Sequence, residues 1–185
     1  IFFCLNKSIH LLGPILAFNK FNLMRIRILG IFLLGFLINF PAFSQSFAYK
    51  TMLNGIYDND FPLVYLDQDE ILGKAILLDT REKEEYEVSH LKNARWVGYD
   101  TFSLESIKDI PKYKPIVVYC SVGARSQDIG IKLKNAGYKE VYNLYGGIFH
   151  WMNEEQPVYE NEKTTNRIHT YNRAWSIWVN KGEKV

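Results

Sequence analysis

Ile116-Val117-Val118-Tyr119-Cys120 runs directly into Ser121-Val122-Gly123-Ala124-Arg125-Ser126. The first half, consecutive branched apolar residues after Pro115, predicts a buried β-strand. From Gln127 to Ala136 the apolar residues Ile129, Leu133 and Ala136 recur at helical spacing, so a helix follows the loop. Cys120 therefore stands at the carboxyl end of a buried strand, the edge at which open α/β sheets bind ligands. Loop N–H groups and the free N–H groups of the helix start converge there, carry partial positive charge and stabilise a sulfur anion. A lone cysteine closing an apolar strand is, taken by itself, a small buried hydrophobe. Gly123 and Arg125 turn the reading toward chemistry, because glycine lets the backbone curl around an anion and arginine supplies a permanent cation. Ser121 and Ala124 are small enough to keep the mouth of the loop open. Cys120 is thus the candidate nucleophile, and Ser121, Val122, Gly123, Ala124, Arg125 and Ser126 are the candidate substrate-binding loop.

The spacing chooses between two chemistries. Protein tyrosine phosphatases use Cys-x5-Arg, a loop wide enough for a tetrahedral phosphate. The pattern here is Cys-x4-Arg, a tighter ring suited to one terminal sulfur held on the cysteine as a persulfide. Further motifs stand in order along the chain: Leu77-Leu78-Asp79-Thr80-Arg81, then Ser89-His90-Leu91-Lys92-Asn93-Ala94, then Tyr145-Gly146-Gly147-Ile148 through Trp151. These resemble the Leu-Asp-x-Arg strand end, the Gly-His-Ile-x-Gly-Ala turn and the Gly-Gly-x-x-x-Trp segment of the rhodanese family of sulfurtransferases. The resemblance covers Phe61 to Val158, and several ordered motifs are far more specific than one. Ser89 and Asn93 depart from the family's glycines. They put the backbone of that turn in doubt, since asparagine tolerates positive φ and serine tolerates it less. Asp79 and Arg81 read as an ion pair fixing a strand end, and His90 as a hydrogen-bonding turn residue.

The rest of the chain fits an α/β fold with a mainly parallel central sheet flanked by helices on both faces. Strands are expected at Pro62–Tyr65, Ala75–Leu78, Arg95–Val97, Ile116–Tyr119 and Glu140–Asn143. Helices are expected from Glu82, near Leu104–Ile107, from Ser126 and at Ile148–Trp151, with helix or coil over Phe47–Asn59. The rhodanese-like domain is placed at 45–160. Residues 161–185 read as a polar linker followed by an aromatic tail in which Tyr171, Trp175 and Trp178 stand near helical spacing. That tail is either a helix folded back on the domain or a face that docks a protein partner.

At 185 residues, 48% hydrophobic and 15% aromatic, the chain supports one well-packed domain. Its formal net charge of +2, without a basic run in the globular part, gives no reason to expect nucleic acid as partner. Met24-Arg25-Ile26-Arg27, the apolar run Ile28–Ile38 and Ala42-Phe43-Ser44 read as the three parts of a cleaved secretory signal over Met24 to Ser44. The expected location is periplasmic or secreted, with membrane contact only through an uncleaved signal. Residues 1–23 read as an upstream extension before the true start at Met24. With the signal removed, Cys120 is the one cysteine of the mature chain, so it has no internal disulfide partner.

The resemblance implies a sulfurtransferase that takes sulfane sulfur from a small-molecule donor such as thiosulfate and passes it to a thiophilic acceptor through a Cys120 persulfide. No metal or organic cofactor is called for. A rhodanese-fold module that binds or carries sulfur without turnover is the alternative, and phosphate ester hydrolysis is set aside by the loop length.

Overall fold

A computed structural model describes residues 47–58 and 60–185. The expected targeting segment Met24–Ser44 and the expected upstream extension 1–23 lie outside the described residues. From Tyr49 onward the chain forms one compact unit.

The sheet is built around the stretch quoted first. Ile116–Tyr119, here β4, is buried at every position. Its neighbours are β2 (Ile76–Asp79) on one side and β5 (Val141–Leu144) on the other, with β3 (Arg95–Trp96) beyond β2 and β1 (Leu63–Val64) beyond β5. Every pairing is parallel, with Leu78 opposite Val118 and Val118 opposite Asn143. Alternation along β4 divides its side chains between two cores, because successive residues of a strand point to opposite faces. Ile116 and Val118 pack with Leu78, Val141, Ile129 and Leu133 on one face. Val117 and Tyr119 pack with Val64, Leu144, Leu53, Ile148 and Phe149 on the other.

Helices cover both faces, as the apolar runs require. One side carries α4 (Ala124–Asn135) and a 3₁₀ turn at Leu104–Ile107. The other carries α1, the helical residues 49–56, and α5 (Gly147–Asn153). Two shorter helices, α2 (Asp69–Leu72) and α3 (Lys83–Val88), lie in the connections on either side of β2. The chain leaves β2 toward one edge of the sheet and leaves β4 toward the other. This divergence opens a crevice beyond their carboxyl ends, the topological switch point of a parallel sheet.

The departing motif turn resolves in two ways. Asn93 takes the left-handed conformation at φ 58 that glycine would supply. Ser89 sits at φ −168 in extended backbone, which needs no glycine.

Beyond Pro157 the structure differs from the expected polar linker and helical tail. Val158–Glu160 (β6) and Lys163–Thr165 (β7) pair as an antiparallel hairpin. Asn161 and Glu162 make its two-residue turn at φ 46 and 68, the geometry of a type I′ turn, which matches the twist of the strands it joins. Arg167–Ile168 (β8) then pairs in parallel with Glu183–Lys184 (β9), closing the intervening residues into a loop. Inside that loop only Trp175–Trp178 is helical, as one 3₁₀ turn. Asn172 holds the approach to that turn: its Oδ1 accepts from the Ala174 and Trp175 amides at 2.9 and 3.1 Å. The tail does fold back, since Ile168 and Val179 are buried with the α1 and α5 residues.

Candidate active site

Cys120 follows β4 directly and is 1% exposed. The backbone then bends through Ser121 and Val122 to Gly123, which caps α4 at φ 109. This turn aims the Gly123 amide back at the cysteine, N to Sγ 3.1 Å. A side chain at Gly123 would meet the Tyr57 ring and hydroxyl at 2.5–2.9 Å, so glycine is required here both by φ and by space.

The loop is braced from three directions. The Ile148 and Phe149 amides at the start of α5 donate to the Cys120 and Ser121 carbonyls at 2.9 and 3.1 Å. A Cβ on Gly147 would stand 2.4 Å from the Cys120 carbonyl oxygen, so the approach depends on that glycine, itself at φ 56. The Tyr57 hydroxyl donates to the Val122 carbonyl at 2.6 Å and accepts from the Gly146 amide at 2.7 Å. Burial pushes the Tyr57 phenol well above its ordinary range, so it serves as a neutral donor. From β5, buried Asn143 donates to the Gly123 carbonyl at 2.9 Å and accepts from the Ser126 hydroxyl at 2.7 Å.

Arg125 is held from α3. Its guanidinium makes two contacts with Glu85, Nη1 to Oε2 at 2.8 Å and Nη2 to Oε1 at 2.9 Å. Ser121 Oγ bridges the pair, donating to Glu85 Oε1 at 2.9 Å and accepting from Arg125 Nη2 at 3.0 Å. Burial by itself raises the Glu85 carboxyl. The hydrogen bond and charge of Arg125, the charge of Arg81 and the Ser121 hydroxyl outweigh it, and Glu85 is held below the ordinary carboxylate range. Burial likewise lowers a guanidinium, but Glu85 and the Cys120 sulfur reverse this at Arg125 and keep it charged. The cation of the loop is thus already met by a carboxylate.

Above Cys120 lies a cavity of about 290 Å³ lined by Cys120, Ser121, Val122, Ala124, Arg125, Tyr171 and Trp175. Five of the seven sequence candidates therefore line it. Gly123 contributes its amide from behind, and Ser126 faces away toward Asn143. Asp79 and Arg81 make a fully buried ion pair at 2.7 Å, and Arg81 also donates to the Ser89 carbonyl at 2.6 Å. His90 is a turn residue whose backbone exchanges two hydrogen bonds with Tyr159. Its ring lies 4.2 Å from that of Tyr86, outside the residues lining the cavity.

Sequence reading missed Glu85, Tyr57, Asn143, Tyr171 and Trp175. Asn143 left a trace as a polar residue within the apolar run Val141-Tyr142-Asn143-Leu144, and Tyr171 and Trp175 stood out only as an aromatic tail, not as part of the site. The others join the site only through long-range contacts.

The rhodanese-like domain family model matches residues 65–154. A thiosulfate sulfurtransferase of Coxiella burnetii is 37% identical over 89 residues, covering 47% of this chain and 82% of that protein. A tRNA uridine(34) hydroxylase of Hamiltonella defensa is 37% identical over 84 residues, 42% of this chain but 23% of the relative. Among solved structures, a rhodanese-related protein of Thermoplasma volcanium matches with a TM-score of 0.50 at 24% identity, over 55% of this chain and 100% of that one, and shows the shared fold. A parallel sheet with a cysteine loop at its carboxyl edge, and a relative 37% identical of which this chain spans 82%, together establish that the chain belongs to the rhodanese-like domain family.

Proposed function

We propose that the protein is a sulfurtransferase that carries sulfane sulfur on Cys120. The observation that bears this reading is the position of Sγ: on the floor of a 290 Å³ cavity, with the Gly123 N–H directed at it from 3.1 Å. The Cys120 thiolate attacks the outer sulfur of a donor, the donor's S–S bond breaks, and the leaving group departs with the bonding electron pair. With thiosulfate the products are sulfite and the Cys120 persulfide anion. A thiophilic acceptor then attacks the terminal sulfur and restores the thiolate. Charge and atoms balance in each half-reaction, and neither needs a cofactor. The preorganised amide stabilises sulfur negative charge in a site screened from water. The name of the Coxiella relative supports the same chemistry.

Intact mass after exposure to thiosulfate tests the proposal. The protein should gain one sulfur atom, and the Cys120→Ser variant should gain none and show no thiosulfate:cyanide turnover. Turnover that persists in that variant would overturn the assignment. Sulfur gain without turnover for any acceptor would favour a carrier module instead.

We also propose export, on the basic start, apolar run and small-x-small site within Met24–Ser44. Protein recovered from the cell envelope should begin just after Ser44. Recovery only from the cytoplasm with Met24 retained would refute export.

A further inference from the structure

The cavity over Cys120 is walled by two residues from beyond the family-matched stretch. That match ends at residue 154, whereas Tyr171 and Trp175 come from the loop between β8 and β9. The loop is firmly placed. Its ends are joined by the β8–β9 pairing, and Val179 within it is 1% exposed. Asn153 of α5 grips its far side, donating to the Trp178 carbonyl at 2.8 Å and accepting from the Asn180 amide at 2.6 Å. The Trp178 ring lies 5.5 Å from that of Tyr49. At the cavity the Trp175 amide is held by Asn172 Oδ1 at 3.1 Å, and the Tyr171 ring lies 5.1 Å from the Arg125 guanidinium carbon. Tyr171 adopts φ 64, a conformation a bulky residue takes only when its surroundings impose it.

The chemistry of this wall differs from that of an anion cradle. Val122, Ala124, Tyr171 and Trp175 present carbon and aromatic surface. Arg125, the one cation among the described residues lining the cavity, is already paired through both oxygens of Glu85. A doubly charged inorganic donor would have to compete with that carboxylate and would itself draw no apolar contact from either ring. An organic carrier fills the same space with apolar contacts, and a cavity of 290 Å³ stands next to the lower bound of about 300 Å³ for small-molecule sites.

Resting on the sulfurtransferase reading, we infer that the site selects organic sulfane donors, aryl or alkyl persulfides and thiosulfonates, whose carrier group seats against Tyr171 and Trp175 while its outer sulfur meets Cys120. For an aryl thiosulfonate, the Cys120 thiolate attacks the outer sulfur, the S–S bond breaks, and the arenesulfinate leaves with the bonding electrons. Cys120 retains the persulfide anion, the total charge is unchanged, and no oxidant or reductant enters.

Benzenethiosulfonate and thiosulfate make a matched pair of probes, since both hold the transferable sulfur on a sulfonyl-type sulfur and differ in the carrier. The measured quantity is the ratio of their kcat/KM values, which is independent of the fraction of folded enzyme in any preparation. In the Tyr171→Ala, Trp175→Ala double variant this ratio should fall about tenfold, the effect of losing two ring contacts. Trp175→Phe keeps a ring and should hold the ratio within about threefold of the parent. A ratio in the double variant within about twofold of the parent overturns the inference and leaves the sulfurtransferase reading standing. Failure of Cys120 to gain sulfur from either donor overturns that reading, and this one with it.

Discussion

Glu85 is the residue on which the loop's electrostatics turn. It lies on α3, in the connection after β2, yet meets Arg125 across the crevice at 2.8 Å with 2% of its side chain exposed. Because its folded-state carboxyl lies below the unfolded value of about 4.5, it titrates at lower pH in the native protein. The stability it contributes is therefore complete above the unfolded value and is lost as pH falls through the lower, folded one. Urea unfolding followed across the acid range should show this loss, and Glu85→Gln should flatten that part of the profile. At neutral pH the same variant should cost about 2–3 kcal/mol, because Arg125 is left partly buried without its counter-charge. Tyr57→Phe strips a partner from both the Val122 carbonyl and the Gly146 amide, and should cost about 1–3 kcal/mol in the same measurement. At this scale Cys120, Gly123 and Arg125 were legible as members of one loop because their spacing falls along a single turn. Glu85 was not, because its one local role, accepting from the Glu82 amide at 3.1 Å at the start of α3, says nothing of a contact with Arg125 forty positions on.

The site is a product of how two helices begin. Gly123 starts α4 with its amide on Sγ, and the start of α5 supplies amides to the Cys120 and Ser121 carbonyls, so the loop is clamped between two helix termini. Gly147→Ala tests the clamp. Its Cβ would lie within 2.8 Å of three backbone atoms of Cys120 and Ser121 at a positive φ. The expected cost is about 3 kcal/mol, combining left-handed strain with overpacking. A drop in thermal unfolding temperature together with slower sulfur loading of Cys120 would be the observed pair. The central elements were read correctly from period alone: β4 matches its expected bounds, and the helix after it starts two residues before Ser126, at Ala124. The hairpin at Val158–Thr165 was not read, because Asn161-Glu162 lacks the glycine that usually marks a type I′ turn. The tail misled for a different reason. Tyr171, Trp175 and Trp178 do share helical spacing, but Tyr171 and Trp175 line the cavity, Tyr171 beside Arg125, while Trp178 meets the Tyr49 ring.

Over the whole molecule, the segment beyond α5 joins the domain core rather than trailing from it. Ile168 is fully buried, Val179 nearly so, and Asn153 ties α5 to the returning loop. Asn153→Ala should cost about 1–3 kcal/mol, since two backbone groups lose their partner. It should also free the Trp175–Trp178 turn, read as a red shift of tryptophan emission before global unfolding. An unshifted spectrum with full stability would show that the β8–β9 pairing alone holds the loop. What the sequence by itself determined is the loop and the parallel sheet: a strand that alternates between two cores, a cysteine at its end, and a turn that sets four residues between that cysteine and an arginine. Those are properties of contiguous residues, set by side-chain period and backbone conformation. What only the tertiary structure decided is which distant groups complete the site, namely the Glu85 carboxylate that pairs with Arg125 and the Tyr171 and Trp175 rings from the returning tail. These contacts join residues about forty to fifty positions apart. The two rings reach the cavity because burying Ile168 and Val179 brings the tail back across the domain.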